Sequence, residues 1–417
     1  MKPIGEWPDN GAVDAAELIR HGWQPRPLSE FILKVQSRCN LNCDYCYVYH
    51  LADSSWRQQP NRMSERTVRA AAARIGEHSA LHGLEQVSIS MHGGEPLLCG
   101  RDYLERFISI VREQLGDVRV RFSLQTNGVL LDEETAAFLV REGVCVGVSL
   151  DGDEAANDLH RRFRNGRSSY RAASAGVRTM LRPEHRAAFG GVLCTIQLPS
   201  DPLRVWHSML ELGTPQVDFL LPHGTWTNPP PGLTPGDGAT PYADWLLPIF
   251  DEWFDAPVKQ AGVRIFEDVI NLLLGGRISY ESFGLRPVGL LVVETDGSYE
   301  QVDSLKAAYE GAAATGLNAF DHPLDDVLAL PGVTARQIGA DALSDTCRRC
   351  KFAEVCGGGL YSHRYRPGTG FLNPSVYCAD LYALISHVER RVTAQLVQRG
   401  LDLDVVRTAF EPEKSNR

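Results

Sequence analysis

The sequence predicts an α/β fold: a run of parallel βαβ units followed by a smaller, cysteine-bearing region. Two observations carry that prediction. From about residue 31 to 221, short apolar runs of strand length alternate with longer stretches of helical character, about six times over. After Leu221 the alternation stops, and Cys347, Cys350, Cys356 and Cys378 gather in the later part of the chain. Strands separated by helices pair in parallel, because a parallel pair needs a crossover connection.

The expected strands are FILKVQ from Phe31, QVSISM from Gln86, VRFSLQ from Val120, CVGVSL from Cys145, GGVLCTI from Gly190 and QVDFLL from Gln216. Helical stretches such as SERTVRAAAARIGEHSALH and DEETAAFLVREG lie between them. Ligands of such folds bind at the C-terminal ends of the strands. Here the first strand runs into a cysteine loop, the second into HGGEP, the third into QTNG and the fourth into SLDG. Four strand ends thus aim glycine and polar motifs at one rim. HGTWTNPPPGLTPGDGATP then reads as a long surface loop, and YADWLLPIFDEWFDAPVKQ as a helix. A second region follows from about Gly289. ALISHVERRVTAQLVQRGL reads as an amphipathic helix, and EPEKSNR as a disordered tail. The expected division is an extension over 1–30, an α/β domain over 31–225, a linker with bridging helices over 226–288, a cysteine-bearing domain over 289–385 and a terminal helix and tail over 386–417.

The net charge of −10 argues against nucleic acid as a partner, since phosphate binding needs a basic face. No basic segment followed by an apolar core opens the chain, and no apolar run approaches ~20 residues, so neither a signal peptide nor a membrane span is expected. Ten cysteines without an export signal point to a reducing compartment, the cytoplasm, and to metal ligation. Cys99, Cys145 and Cys194 are scattered and read as core residues.

Cys39, Cys43 and Cys46 form a CxxxCxxC run, RCNLNCDYCYVYH. Three thiolates on one loop can hold three irons of a 4Fe-4S cube and leave the fourth iron open. A zinc knuckle, with His50 as fourth ligand, is the alternative. In GGEP, two glycines after a strand let the backbone approach a ligand closely, and their carbonyls could bind an ammonium group.

The run resembles the signature of the radical S-adenosylmethionine (radical SAM) enzymes. That resemblance implies a partial (β/α)6 TIM-like barrel, and Tyr45 packed near the adenine of S-adenosyl-L-methionine. It implies that Gly93, Gly94, Glu95 and Pro96 receive the methionyl amino group. Thr126, Asn127 and Gly128 would form a turn beside the ribose, with Ser149 and Asp151 bonding the ribose or the methionyl group. Arg161 would face the methionyl carboxylate, with Arg162 an adjacent competitor and surface charge the alternative for both. His92 reads as a residue packed beside the cofactor loop, with a catalytic role the alternative.

Cys347, Cys350, Cys356 and Cys378 can saturate a second 4Fe-4S cube; zinc is again the alternative. Their arrangement resembles the SPASM domain of peptide-modifying radical SAM enzymes, which usually carries seven cysteines and two auxiliary clusters. The chain departs from it. Leu360 stands four residues past Cys356 where a cysteine is expected, Val302 stands five past Gly297, and Glu281 to Arg286 contains none. The expectation is one open and one closed cluster. Asp303 follows Val302 at a place where related enzymes have a candidate proton acceptor; a structural hairpin-end aspartate is the alternative.

CGGGLYSHRYRPGTGFLNPSVYCADL, PHGTW and ETDGSYEQVDSLK are similar to one subgroup, the FxsB-type maturases that build three-residue cyclophanes in ribosomally made peptides. The resemblance implies a 5′-deoxyadenosyl radical, hydrogen abstraction from a side-chain Cβ, and attack on an aromatic ring. It implies a precursor peptide and an external electron donor of flavodoxin or ferredoxin type as partners. The first thirty residues are too short for a leader-binding winged-helix domain, so the peptide is expected to dock on the barrel or the later region. Thioether formation, epimerisation and sulfatase-type oxidation fit the same machinery, though Val302 argues against the ordinary sulfatase maturases. The non-enzymatic alternative is an iron–sulfur or zinc protein that binds peptides or senses redox state.

Overall fold

The structure is a computed structural model that describes residues 6–9, 11–278, 281–402 and 405. After a short helix α1 (Ala15–Arg20), six parallel strands follow in chain order: β1 (Glu30–Gln36), β2 (Gln86–Gly93), β3 (Arg119–Thr126), β4 (Val144–Ser149), β5 (Phe189–Thr195) and β6 (Gln216–Leu220). All six expected strands are present.

The crossover helices are α2 (Glu65–Leu81), α3 (Arg101–Leu115), α4 (Glu133–Arg141), α5 (Glu154–His160), α6 (Tyr170–Met180) and α7 (Pro202–Leu212). Several start where a side chain takes an orphan N–H of the first turn. Ser64 accepts from Thr67, Asp132 from Thr135, Asp153 from Ala156 and Asp201 from Arg204.

The sheet does not close on itself. β1 pairs with β2 on one side and on the other, in parallel, with β8 (Leu290–Val293), which lies in the later region. β9 (Ser298–Glu300) and β10 (Ala314–Asn318) extend that edge in antiparallel fashion. At the far edge β7 (Gly262–Val263) adds to β6. One ten-stranded sheet results, β10-β9-β8-β1-β2-β3-β4-β5-β6-β7. The boundary expected at residue 289 therefore falls at the start of a strand that continues the barrel sheet. The segment expected as linker and bridging helices contains α8 (Pro241–Asp255), α9 (Arg264–Leu273) and β7.

The HGTWTNPPPG loop is anchored as well as looped. Trp226 donates from its backbone to Tyr365 O and from Nε1 to Pro374 O at 2.9 Å, which ties it to the late cysteine region. The chain's long C-terminal helix, Cys378–Gln398, packs on α8 and α9. The EPEKSNR tail lies outside the described residues. No described helix is long and apolar enough to cross a membrane.

Cys99 and Cys194 are buried as expected, but Cys145 is exposed. Its strand alternates, and Val144, Val146 and Val148 take the buried side, so Cys145 points the other way.

Candidate active site

The cysteine loop leaves the end of β1 and is stitched at its base to the end of β2. Gly94 donates to Gln36 O at 2.7 Å and Glu95 to Arg38 O at 3.0 Å. The two glycines make that approach possible. A Cβ on Gly93 (φ +148°) would lie 1.9 Å from Gln36 O, and one on Gly94 would lie 2.0 Å from Tyr49 Oη.

Cys39, Cys43 and Cys46 line a cavity of about 210 Å³. Gly93, Gly94, Thr126 and Asn127 line it from β2 and β3, and Tyr45, Ser149 and Arg161 from elsewhere on the rim. Glu95, Pro96 and Asp151 do not; they stand behind the wall, which revises the expectation that they meet the ligand directly.

The Glu95 carboxylate is fully buried and acts as a strut. It accepts from Leu97 N at 3.0 Å, Thr126 Oγ1 at 2.7 Å and Asn127 N at 2.8 Å. That fixes the QTNG turn, from which Asn127 Nδ2 reaches Asn40 Oδ1 at 2.7 Å in the cysteine loop. Burial raises the Glu95 pKa while these hydrogen bonds oppose it. Asp151 plays the same part for Tyr45. Tyr45 Oη donates to Asp151 Oδ2 at 2.5 Å and accepts from Arg161 Nη1 at 2.8 Å, while Thr195 N donates to Asp151 Oδ1.

Arg161 is buried and faces the cavity; Arg162 is exposed and bonds Asp158 O and Gly166 O. The geometry separates the two competitors. Arg161 Nε is buried with no hydrogen-bond partner among the described residues, which suits an anionic ligand group. Burial pushes the Cys39 thiol up to about 11 and the Cys43 thiol up to about 12, so thiolates there call for a cation.

A 4Fe-4S cube fits this set better than zinc. Tetrahedral zinc with Zn–S of about 2.3 Å needs sulfurs about 3.8 Å apart. Among the described residues, no three cysteine sulfurs lie within 4.8 Å of one another. His50, the proposed fourth zinc ligand, is exposed, bonds Asn42 Oδ1 and does not line the cavity.

The four late cysteines converge. Burial pushes the Cys356 thiol up to about 12, with Cys347 and Cys378 adding to it; Cys378 in turn feels Cys347 and Cys350. Beside them the CGGG run wraps a buried cation, which the sequence reading missed. Gly357, Gly358 and Gly359 all adopt left-handed φ (58°, 78° and 68°). Their carbonyls take hydrogen bonds from Arg364, at 2.5 Å for Gly357 O, 3.1 Å for Gly358 O and 2.8 Å for Gly359 O. The guanidinium thus sits where thiolate charge would collect.

Asp303 lies in a second cavity of about 270 Å³ that shares Tyr47, His92, Leu220 and His223 with the first. Its carboxylate pairs with Lys34 Nζ at 2.5 Å, both side chains being 5% exposed or less. Burial alone would raise its pKa; Lys34, then Lys306 and His92, overturn that and hold it below the usual carboxylate range. Lys306 is itself clamped between Glu294 (2.9 Å) and Glu300 (2.8 Å). His92 is pushed down to about 4 by burial and Lys34 and stays neutral. Lys34 was missed because it reads as one polar residue in an apolar strand. His223 was missed because PHGTW signalled kinship and no role.

Residues 33–182 match the radical SAM superfamily. The chain carries a radical SAM domain. Over 364 residues, covering 84% of this chain and 94% of the relative, it is 23% identical to the cysteine-type anaerobic sulfatase-maturating enzyme of Clostridium perfringens strain 13. The solved structure of native anSMEcpe with bound AdoMet and Cp18Cys peptide superposes with a TM-score of 0.73 at 21% identity, covering 88% of this chain and 99% of that one. The Streptococcus suis SuiB structure bound to precursor peptide SuiA gives 0.56 at 15%, covering 87% and 78%. The fold is thus a radical SAM barrel with a C-terminal SPASM-type region. Residues 33–182 therefore form a domain of the radical SAM superfamily, whose members pair an iron–sulfur cluster with S-adenosylmethionine.

Proposed function

We propose that this radical SAM enzyme modifies a ribosomally made peptide by joining an aromatic ring to a nearby side-chain Cβ, giving a three-residue cyclophane. Cys39, Cys43 and Cys46 would hold the open cluster, and Cys347, Cys350, Cys356 and Cys378 the closed one. Gly93, Gly94, Thr126, Asn127, Ser149, Tyr45 and Arg161 would hold S-adenosylmethionine, with Glu95, Pro96 and Asp151 as the supports behind them. When bound, these groups supply an alkyl radical that removes a hydrogen atom and a sink for one electron.

The chain's own part is binding, orientation and proton handling. Arg161 Nε offers an unmet donor to a carboxylate. Asp303 is an ionised carboxylate in the adjoining cavity, placed to take the proton that the ring loses. The net change is loss of one Cβ–H and one ring C–H as the C–C bond forms, two hydrogens in all. The single observation that carries the reading is the shared wall of Tyr47, His92, Leu220 and His223. It sets Asp303's cavity directly against the one that holds the three cysteines, so one substrate can reach both. An external donor of flavodoxin or ferredoxin type would supply the reducing electron.

A second reading, oxidation of a serine or cysteine to an aldehyde, is favoured by the sulfatase-maturating relatives, one matched over 84% of this chain. A serine-derived aldehyde loses two hydrogens, as a cyclophane does. From cysteine the same oxidation gives a thioaldehyde, whose sulfur then leaves as hydrogen sulfide when water supplies the aldehyde oxygen, so that product differs in mass as well. Incubation of the reduced, reconstituted enzyme with the candidate precursor peptide, followed by tandem mass spectrometry, separates them. A cyclophane suppresses fragmentation within an aromatic-x-x segment and ignores hydrazide reagents; an aldehyde fragments normally and is trapped by them. A mass-neutral product that gains deuterium from solvent would replace both with epimerisation.

A further inference from the structure

The two positions where the SPASM resemblance expects cysteine, Val302 and Leu360, are far apart in sequence yet line one wall system. Both face the cavity of about 270 Å³, and so do Glu281, Ser282 and Arg286 of the other segment that lacks a cysteine. At the places where the resemblance would put ligands of a first auxiliary cluster, the bay therefore presents Val302 and Leu360, and Ile32 and Leu290 extend this apolar face, while Glu30, Glu281, Arg286 and Asp303 make other parts of the lining polar.

We propose that this bay is a pocket for an aromatic side chain of the substrate peptide. The proposal rests on the peptide-modifying reading above and adds to it which part of the substrate sits where. Four features carry it. The bay shares a wall with the cysteine cavity, so a side chain lodged in it holds its neighbours in the peptide beside the radical source. Its volume exceeds the ~150 Å³ at which an apolar cavity accepts benzene, so a phenyl or indole ring has room and a leucine leaves much of it empty. The rings of Tyr47 and His223 meet edge to face at 4.9 Å on its wall and offer a further ring the tilted contacts that aromatic groups prefer. Asp303, 4% exposed, lines the bay and keeps its Oδ1 buried with no hydrogen-bond partner among the described residues, an acceptor for a substrate N–H. Replacing cluster ligands by valine and leucine thus turns an iron site into a recognition site.

The test uses the anaerobically reconstituted holoenzyme with S-adenosylmethionine. The probes are N-acetyl-phenylalaninamide, N-acetyl-tryptophanamide and N-acetyl-leucinamide, with Kd measured by ligand-observed NMR titration. Both aromatic amides should bind at least tenfold more tightly than the leucine amide. Leu360→Phe, which fills the bay, should raise the Kd of the aromatic amides at least tenfold at unchanged iron content. Val302→Ala, which widens it, should shift preference toward the tryptophan amide by at least threefold. Equal binding of aromatic and leucine amides, or a Kd within threefold of wild type in Leu360→Phe together with an unshifted preference in Val302→Ala, overturns the proposal. The underlying reading fails separately: an iron-loaded, reduced wild type that does not cleave S-adenosylmethionine sinks the enzymatic reading, whereas cleavage without aromatic binding sinks the pocket alone.

Discussion

Lys34→Met removes a buried cation from a cluster of five ionisable groups. In the native protein Lys34 and Lys306 face Asp303, Glu294 and Glu300, and burial and Glu294 push the Glu300 carboxyl up to about 8, so near neutral pH the substitution leaves Lys306 facing Asp303, Glu294 and a largely protonated Glu300. The Lys34–Asp303 contact is 2.5 Å. With an effective dielectric constant of ~20, that separation corresponds to about 6 to 7 kcal/mol of attraction, most of it offset by the desolvation of both ions. Removing one partner keeps the desolvation of the other, so the expected cost is about 3 to 5 kcal/mol, toward the lower end because Lys306 remains nearby. The sign with pH follows. Asp303 is held below the usual carboxylate range in the folded wild type, so its contribution is present above an unfolded pKa of about 3.9 and is lost as pH falls through the folded value. Without Lys34, burial dominates and the folded pKa rises above the unfolded one. The variant is then least stable, relative to wild type, at pH 8, and the gap narrows toward pH 5. Anaerobic urea unfolding followed by tryptophan fluorescence at both pH values measures this. Lys34→Met/Asp303→Asn should recover most of the loss, because no unpaired charge stays buried. A cost under ~1 kcal/mol, a gap that does not change with pH, or no recovery in the double variant would refute the reasoning.

Arg161→Lys keeps the charge but cannot reproduce the guanidinium's donors to Tyr45 and to a ligand carboxylate, so calorimetric S-adenosylmethionine affinity should fall about tenfold or more. Gly94→Ala drives a Cβ to 2.0 Å from Tyr49 Oη and 2.3 Å from Arg38 O, so iron retained by the cysteine loop after gel filtration should drop sharply. Cys356→Ala should lower iron from about eight to about four per chain while reduced enzyme still cleaves S-adenosylmethionine; unchanged iron would remove Cys356 from the ligand set. Glu95→Gln retains size but presents N–H to one of the donors Thr126 Oγ1 and Asn127 N, so S-adenosylmethionine should bind about tenfold more weakly at normal iron content.

What could be read from the sequence was local. Strand and helix positions follow from apolar periodicity, and the cysteine, GGEP and QTNG motifs are contiguous, so their place at strand ends was visible. What could not be read depends on pairings between distant segments. Nothing near Leu33 announces that Val293 will lie beside it, and that register brings the later region onto the barrel. Lys34 and Asp303 are separated by most of the chain. Arg364 gives no local sign that three glycine carbonyls seven to five residues earlier will hold it. Cys145 shows the opposite case: its apolar run suggests burial on both faces, and only the alternation within the strand puts the thiol on the exposed side.

β1 is the element through which these pairings act together. Its end carries the stem of the cysteine loop, its Lys34 reaches Asp303, and its free edge takes β8 with Ile32 opposite Val292. The later region is thereby registered against the cofactor cavity by backbone hydrogen bonds and one buried ion pair. Val302, Leu305, Tyr361, Tyr365 and Phe371 add an apolar cluster of their own, with Tyr361 and Phe371 stacked at 4.5 Å. These contacts lie beside the bay that a first auxiliary cluster would occupy by the SPASM resemblance, meeting it at Val302, so loss of those cysteines need not loosen the region. It follows that positional order and electron transfer are separable in this chain. The late cysteines are left with redox work, while Asp303 is placed by Lys34 and β8. Cys356→Ala should therefore spare the Lys34–Asp303 register, and Lys34→Met should spare the iron of the late cluster. If either substitution produced both losses, the two functions would share one scaffold, and this division of labour would be wrong.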